Sequence, residues 1–298
     1  MSEQKQVVLI TGTSSGFGRL FAETFARVGY SVFATMRGVA GKNAKSAESL
    51  RAFATQNSVA LEVLEMDVTD EASVNSAVAA AIAKTGRLDV AVNNAGFGYL
   101  DLMEAITVEQ AKKIFDTNVF GVQRVARAVL PQMHKHKSGL LLQVSSGAGR
   151  VVIPAFGIYC ASKFALEAMT EAYRYELAES GIDSVSLEPG AYKTEIFGKI
   201  DRGDDPARLG SYGAMKAAPE RLNATLTTAA ADPKEVADLA LEILRTPFGK
   251  RQLRYRIGSG GPGVVEINKL TDQIQQQLLN AFGLAEVARQ TTSSSASA

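Results

Sequence analysis

A tyrosine and a lysine four residues apart are the first pair in this sequence that could do chemistry. Tyr159 and Lys163 stand in the run YCASK, where a segment with helical spacing begins. Side chains four residues apart share one face of a helix, so the phenol and the ammonium can lie in one pocket. A cation about 4 Å away, at an effective dielectric near 20, lowers a phenol pKa of ~10 by up to roughly three units. The pair predicts a proton donor and acceptor that works near physiological pH. For an isolated pair, a packed tyrosine and a solvated lysine would be the better interpretation.

Further polar residues stand at the ends of predicted strands, which makes the pair less isolated. The carboxyl ends of parallel strands meet at one edge of a sheet, where open α/β sheets bind ligands. We therefore expect these residues and the tyrosine–lysine pair to meet at one site. In chain order they are Asn94, Ala95 and Gly96 ending strand 88–96, Asn118 within the helical stretch 104–135, Ser145 and Ser146 ending strand 139–146, Pro189 and Gly190 ending strand 184–190, and Thr194 just beyond it.

A glycine-rich turn, TGTSSGFG at 11–18, follows the first predicted strand at 7–10. Its glycines would allow a tight turn, close approach by a pyrophosphate and tight packing of the next helix. The N–H groups at that helix N-terminus would add partial positive charge for the phosphates. An ordinary glycine-rich turn is the alternative, because such patterns recur by chance. The residues expected to contact a dinucleotide are Gly12, Thr13, Ser14, Ser15, Gly16, Phe17 and Gly18.

The second strand ends in VFATMRG at 32–38, without the carboxylate that often holds the ribose of NAD. Met36 removes the repulsion that such a carboxylate would exert on a 2′-phosphate. Arg37 can bind the phosphate with a planar, permanently charged fork. The stretch therefore predicts NADP, with NAD as the alternative, and Thr35 and Arg19 could add contacts. The competing interpretation is that Arg37 is an exposed loop residue.

Strands and helices alternate along the chain, and most strands are continuous apolar runs, as expected when helices cover both faces of a sheet. This predicts an α/β fold with a Rossmann-type doubly wound parallel sheet of about seven strands. The predicted strands are 7–10, 31–36, 60–68, 88–96, 139–146, 184–190 and 254–259, and the helical segments include 16–29, 71–85, 104–135 and 160–180.

Nothing in the sequence divides the chain into two domains. We expect one Rossmann-type domain over 1–285, with an irregular or helical insertion at about 191–231 that would form a lid over the substrate. An amphipathic helix over 267–284 would extend the C-terminus, and the polar tail 286–298 is expected to be disordered.

Charge and composition argue against several classes of protein. The 32 basic and 31 acidic residues give a net charge of +1, which does not favour a nucleic-acid partner. The single cysteine cannot form an intrachain disulfide, and no run of eighteen apolar residues could span a membrane. We therefore expect a cytoplasmic protein with no membrane segment. His134 and His136 are two apart and lack acidic neighbours, so no metal site is predicted.

Together these motifs resemble the short-chain dehydrogenase/reductase family, in its compact single-domain branch. The resemblance covers about residues 1–200. It consists of TGxxxGxG at 11–18, Asp67-Val68, NNAG at 93–96, Asn118, Ser146, YxASK at 159–163, and PG followed by a threonine at 189–194.

The resemblance implies a role for each matched residue. Tyr159 would be the general acid or base, and Lys163 would hold the nicotinamide ribose and depress the tyrosine pKa. Ser146 would hydrogen-bond the substrate carbonyl, and Asn118 would hold a helix distortion and a water. On the cofactor side, the implied contacts are Asp67 and Val68 to adenine, Asn94, Ala95 and Gly96 along the adenosine, and Pro189, Gly190, Tyr192 and Thr194 at the carboxamide end.

The sequence thus predicts an NADP(H)-dependent oxidoreductase that interconverts a carbonyl and a secondary alcohol. A hydrophobic ketone is expected, because apolar residues stand near the predicted pocket, and a homodimer or homotetramer is expected from the family. Two alternatives are a nucleotide-sensing regulator without catalysis and a sugar-nucleotide epimerase or dehydratase. The candidate substrate contacts are Phe97, Ser146, Val151, Phe156 and Phe197.

Overall fold

A seven-stranded parallel sheet forms the centre of the molecule. The computed structural model describes residues 6–192, 200–228, 231–259 and 261–289, so the expectations for Thr194, Phe197 and the end of the polar tail lie outside the described residues. The strand order is β3-β2-β1-β4-β5-β6-β7, with every neighbouring pair parallel. The strands are β1 (Val7–Thr11), β2 (Ser31–Met36), β3 (Leu61–Glu65), β4 (Val90–Asn93), β5 (Gly139–Val144), β6 (Ile182–Pro189) and β7 (Arg254–Ile257).

The central strand β1 is almost entirely apolar because its consecutive side chains enter two different cores. In β1, Val8 and Ile10 pack into a core on one face, while Val7 and Leu9 pack into a core on the other. Helices cover both faces, so neither set of side chains reaches water. This confirms the predicted doubly wound sheet. The α-helices are α1 (Gly16–Arg27), α2 (Ala44–Asn57), α3 (Glu71–Thr85), α4 (Val108–Phe115), α5 (Gly121–His136), α6 (Gly157–Glu176), α7 (Ala218–Thr227), α8 (Lys234–Arg245) and α9 (Gly261–Ala281).

The helical stretch predicted over 104–135 is interrupted. Thr107 starts α4 with a capping box, in which its hydroxyl accepts from Gln110 N–H and the Gln110 side chain accepts from Thr107 N–H. A π-helical turn at Asp116–Phe120 then separates α4 from α5. Such turns occur mainly as local bulges, and often at functional sites. Asn118, the residue that stood out in the sequence, lies in the middle of this turn.

The described part of the insertion, residues 200–228, consists of two short 3₁₀ helices, Pro206–Ser211 and Gly213–Ala217, followed by α7. It is attached to the sheet edge by a bridge between Tyr99 and Asp201 and by a hydrogen bond from Leu100 N–H to Asp201 O. This attachment places the insertion above the carboxyl ends of the central strands. No helix of the described residues combines the length and the apolar character needed to cross a bilayer.

Buried charges join the C-terminal helix α9 to the sheet. Glu188, fully buried at the end of β6, accepts hydrogen bonds from Asn268 of α9 and lies 3.9 Å from Arg254 of β7. Burial and the nearby carboxylate of Glu167 raise the pKa of Glu188 to about 7, against the opposing effects of Asn268 and Arg254. The folded protein therefore holds this carboxyl in its protonated form more readily than the unfolded chain does.

Glu188→Gln should make the fold more stable at neutral pH. An acid whose pKa is raised on folding lowers the free energy of unfolding as pH rises from the ordinary carboxyl range to about 7, and the loss is complete above that pH. Glutamine retains the amide partner without the charge, so we expect a gain of about 1–3 kcal/mol at pH ~8 and almost none at pH ~4. Urea unfolding at both pH values measures this, with exposed Glu266→Gln as the control. A stability loss at pH ~8 would contradict the account.

Candidate active site

Tyr159 and Lys163 lie in the first turns of α6, and Ser146 lies directly after β5. The Ser146 hydroxyl accepts a hydrogen bond from Ala148 N–H and is also hydrogen-bonded to the Tyr159 phenol. The Tyr159 ring stacks on Phe156, with 4.2 Å between ring centroids. The serine and the phenol thus present two hydroxyl groups side by side, in an arrangement that could bind one carbonyl oxygen.

Asn118 connects three segments around Tyr159. Its Oδ1 accepts from Phe97 N–H at 3.1 Å, and its Nδ2 donates to Phe97 O at 2.9 Å and to the Ser162 hydroxyl at 3.1 Å. Ser162 in turn donates to the carbonyl of Tyr159 at 2.7 Å. The π turn is what carries Asn118 to this depth, where it is 1 % exposed. The loop after β4, the π turn and the start of α6 are therefore fixed relative to one another.

The expectation that Lys163 lowers the pKa of Tyr159 toward neutrality is wrong in this structure. Burial raises the pKa of Tyr159 to about 12, and the hydrogen bond from Ser146 only partly offsets that rise. Lys163 Nζ donates to Val144 O at 2.8 Å and lies 5.7 Å from the centroid of the tyrosine ring. Burial also lowers the pKa of Lys163 to about 8, although Glu167 opposes this. The phenol is consequently protonated at neutral pH, and the ammonium is turned toward the sheet.

An apolar cavity of about 330 Å³ opens beside these groups. Ser146, Tyr159 and Lys163 lie on its wall, together with the predicted substrate contacts Val151 and Phe156. Phe97 is not part of the wall as the described residues form it, since its ring packs edge-on against Tyr99. The apolar lining includes Val151, Ile153, Phe156, Ile200, Leu226 and Val264.

The cavity continues toward the glycine turn. Phe17, Asn94, Gly96, Pro189 and Gly190 line this end, and so does Tyr192, whose ring packs edge-on against Phe17. The Tyr192 hydroxyl donates to Glu235 at 3.4 Å. These predicted cofactor contacts therefore line the same cavity as Tyr159 and Lys163.

The glycine turn has the geometry that a pyrophosphate requires. Gly12 has φ +71°, and a Cβ there would lie 2.8 Å from Ala95 Cα, while a Cβ on Gly18 would collide with Gly12 O. Gly16 also has positive φ and begins α1, whose first turn contains no acidic residue. Ser14 and Ser15 stand between these glycines, directly before the helix. The start of α1 thus combines tightly packed glycines with a helix N-terminus that has no acidic side chain in its first turn, so the residues present fit a dinucleotide.

Thr13 and Asn94 hold the turn in place. Thr13 donates from both its N–H and its hydroxyl to Thr35 O. Asn94 Nδ2 donates to Thr11 O at 2.9 Å and to Gly12 O at 3.0 Å. Thr11 was not singled out in the sequence, yet its hydroxyl accepts from the N–H groups of Asn94 and Ala95. It stands inside the TGxxxGxG run, as Ser162 stands inside YxASK, so both could have been found as polar residues within these motifs.

At the far end of this edge, Arg37 and Asp67 lie together. Arg37 Nη1 is 3.8 Å from Asp67 Oδ2, and the arginine side chain is 53 % exposed. Asp67 also accepts from the N–H and hydroxyl of Thr69, and Val68 beside it is buried. The other two suggested phosphate contacts point elsewhere: the Thr35 hydroxyl is buried and donates to Ile10 O, and Arg19 is bound to Glu23 and Ser49. Of the two arginines suggested from the sequence as phosphate contacts, only Arg37 thus lies at this end of the sheet edge.

A family model described as short chain dehydrogenase matches residues 6–205. The chain belongs to the short-chain dehydrogenase family. The uncharacterized oxidoreductase YusZ of Bacillus subtilis is 36% identical over 264 residues, which cover 86% of this chain and 90% of that protein. Human 17-beta-hydroxysteroid dehydrogenase type 1 is 34% identical over 258 residues, which cover 84% of this chain and 77% of that protein. The chain is accordingly an oxidoreductase of this family.

Solved structures of the family share the fold described above. A short-chain dehydrogenase from Streptomyces avermitilis has a TM-score of 0.74 and 32% identity, covering 96% of this chain and 98% of that one. One from Burkholderia phymatum, in complex with NAD, has a TM-score of 0.73 and 25% identity, covering 93% and 97%. One from Sphingobium yanoikuyae, in complex with NADPH, has a TM-score of 0.71 and 25% identity, covering 92% and 95%. Short-chain dehydrogenases of this shape therefore bind NAD in one case and NADPH in another.

Gly18→Ala should weaken dinucleotide binding by about tenfold or more, because the added methyl group must displace Gly12 O and the Asn94 side chain from the turn. Gly210→Ala is the matched control, since a Cβ there meets nothing within 4 Å. Calorimetric titration with NADPH and NADH measures the binding, and urea unfolding measures any loss of stability. Unchanged binding of both nucleotides to Gly18→Ala would contradict the assignment of this turn.

Proposed function

We propose that the protein is an NADP(H)-dependent reductase of apolar ketones, able to run in reverse on secondary alcohols, with Tyr159 as the general acid and base. The observation that carries the proposal is the pair of hydroxyl groups from Ser146 and Tyr159 on the wall of an apolar cavity, beside a turn that fits a dinucleotide. Both groups stand at the carboxyl edge of the sheet, where a bound dinucleotide and a substrate would meet.

When bound, the dinucleotide supplies the hydride that the substrate carbon accepts. Ser146 donates a hydrogen bond to the substrate oxygen and holds it beside the phenol. Tyr159 donates its proton to that oxygen, so the carbonyl gains one hydride and one proton and becomes an alcohol. A phenol with a pKa of about 12 is protonated at neutral pH, which suits it to the reducing direction.

Lys163 and Asn118 assist Tyr159, the first through its proton and charge and the second by holding the helix in position. Lys163 lies on the same helix face, and a pKa of about 8 lets it exchange a proton with its surroundings near neutral pH. Its ammonium lies on the cavity wall and would also bind ribose hydroxyl groups there, if it gave up its hydrogen bond to Val144 O. Asn118 fixes the helix turn that carries both groups through Ser162. Neither residue has to move for the proton transfer from Tyr159.

The preference for NADP over NAD is supported by charge at the end of β2. The strand ends in Met36, and Arg37 follows it with an exposed guanidinium. The ion pair between Arg37 and Asp67 is long, at 3.8 Å, so a 2′-phosphate could replace Asp67 as the partner of the Arg37 guanidinium. Asp67 and Val68, at the end of the neighbouring strand, would then lie against the adenine.

An apolar substrate is supported by the lining of the cavity. Side chains of the loop after β5, of α6 and of the insertion supply apolar surface around two hydroxyl groups. The human relative that is named a 17-beta-hydroxysteroid dehydrogenase is consistent with a bulky, rigid ketone. The insertion contributes Ile200 and Leu226 to the wall, which supports its role as a lid over such a substrate.

Tyr159→Phe should lower kcat/KM for ketone reduction by about 10²–10⁴, which is the usual contribution of a positioned general acid. The phenylalanine ring can keep the stacking on Phe156, so NADPH affinity should stay within about twofold. Tyr173→Phe is the matched control, because that hydroxyl lies on the same helix but is bound to Gln123. A panel of cyclic and aromatic ketones with NADPH provides the assay. Nearly full activity of Tyr159→Phe would refute the mechanism.

Arg37→Ala should reduce the difference between NADPH and NADH affinity. The parent protein is expected to bind NADPH at least about tenfold more tightly, and the variant should lose most of that ratio while NADH affinity stays constant. Calorimetric titration with each nucleotide gives both constants, and Arg27→Ala, on the far end of α1, controls for the loss of a positive charge. Equal affinities in the parent protein would contradict the proposed cofactor preference.

A further inference from the structure

The turn after β2 binds a carboxylate with two backbone N–H groups. Gly38 N–H donates to Glu65 Oε1 at 2.6 Å, and Val39 N–H donates to Glu65 Oε2 at 2.8 Å. Gly38 has φ +67°, which turns the two amides toward the same point. Glu65 is the last residue of β3 and pairs in register with Met36. The two amides therefore form a small anion-binding site that the chain fills with its own carboxylate.

Two cations lie around this turn. The aliphatic part of Lys42 packs over Gly38, so closely that a Cβ on the glycine would lie 3.0 Å from Lys42 Cγ. Arg37 is 3.8 Å from Asp67. The pKa of Asp67 is raised by burial but lowered overall, by hydrogen bonds from Thr69 and by the charges of both Arg37 and Lys42. The positive charges of Arg37 and Lys42 thus both favour a negative charge at the place where β2 and β3 end.

Glu65 is held by backbone amides rather than by a cation. In the described part of the chain no lysine or arginine lies within salt-bridge distance of it, whereas Glu62 on the same strand pairs with Lys84. The Glu65 carboxylate is therefore bound to the two amides without a cation of its own, and another anion could displace it. A dianionic phosphate could accept hydrogen bonds from the same two N–H groups and form ion pairs with both Arg37 and Lys42.

We propose that Glu65 is a specificity-determining residue, whose carboxylate competes with the 2′-phosphate of NADP(H) for the amides of Gly38 and Val39, and that Lys42 joins Arg37 in binding this phosphate. The inference rests on the proposed function in placing the adenosine end of the dinucleotide beside Arg37. Glu65 keeps the turn ordered without the phosphate and opposes its entry by like charge. A nucleotide without the 2′-phosphate has no need of these amides, so Glu65 leaves its affinity unchanged.

The test uses the full chain with adenosine 2′,5′-bisphosphate and with ADP, which differ at this end by the 2′-phosphate. Calorimetric titration at low ionic strength, where surface charges are least screened, measures both affinities. Glu65→Gln should bind the bisphosphate about fivefold or more tightly than the parent, with ADP affinity within about twofold, because glutamine keeps an acceptor for one amide without the charge. Glu62→Gln is the matched control, since it removes the same charge from the same strand at a residue that faces the other way.

Lys42→Gln tests the second half of the proposal and should weaken bisphosphate binding by about fivefold with ADP unchanged. Lys84→Gln, on α3, is its control. Equal shifts for the bisphosphate and ADP, or no shift in Glu65→Gln, would overturn the assignment of Glu65. The parent protein reports separately on the proposed function: a parent that binds NADPH and NADH equally contradicts the cofactor preference, while a selective gain in Glu65→Gln would still establish the competition.

Discussion

The hydrogen bonds of Asn118 are the interaction on which the geometry of the site depends. A single amide pairs with both backbone groups of Phe97 and donates to Ser162, which donates to the carbonyl of Tyr159. Asn118 reaches these partners from within a π turn at Asp116–Phe120, which interrupts the regular helix. Without the Asn118 amide, the half-buried backbone groups of Phe97 and the buried Ser162 would each lose a partner, and an unsatisfied buried polar group costs about 1–3 kcal/mol. The distortion therefore satisfies polar groups and also fixes the start of α6, which carries Tyr159 and Lys163.

Burial, more than neighbouring charge, determines the protonation of the site. Lys163 is buried and Tyr159 is half-buried on the cavity wall, and for each of them removal from water disfavours the charged form. For the tyrosine this favours the phenol. For the lysine it lowers the pKa to about 8, which still leaves most of the side chain as the ammonium at neutral pH. A site with this balance can give a proton to a developing alkoxide in an apolar cavity without first losing it to water. Neighbouring charges have a larger role at the other end of the carboxyl edge of the sheet. There Arg37, Lys42, Asp67 and Glu65 lie around the ends of β2 and β3, near solvent.

The fold could be predicted from the sequence because its signals are local. Seven short apolar runs, each followed by turn residues, were enough to give the number of strands and the parallel sheet, and the structure confirms both. The helix α2 was not predicted, since its face toward the sheet carries only two buried apolar residues, Ala47 and Leu50, in an otherwise polar segment. Helical spacing did not predict the interruption of the stretch 104–135, because the π turn makes contacts with Phe97 and Ser162, which are distant in sequence. Only the family resemblance implied a helix distortion at Asn118.

The motifs of the site could likewise be found from spacing, but the directions of the side chains could not. Spacing put Tyr159 and Lys163 on one helix face, yet it could not show that Lys163 would turn toward Val144 O. Position after β2 identified Arg37 but gave no reason to examine Glu65, which stands on a different strand and meets the turn only after the sheet has formed. Motif residues such as Ser146 and Asn118 are identified from local sequence, whereas charges and hydrogen bonds depend on segments brought together by folding.

The most direct test of the central claim is the ionisation of Tyr159 itself. With ¹³C at Cζ of the tyrosines, the NMR signal of Tyr159 can be assigned as the one that disappears in Tyr159→Phe, and its shift followed with pH in the nucleotide-free protein. Because burial raises the pKa of Tyr159 to about 12, the signal should stay at the position of a protonated phenol up to about pH 10, near the midpoint of an unperturbed tyrosine. A titration midpoint between about pH 6 and 8 would contradict the account, since it would show that the charge of Lys163 outweighs burial.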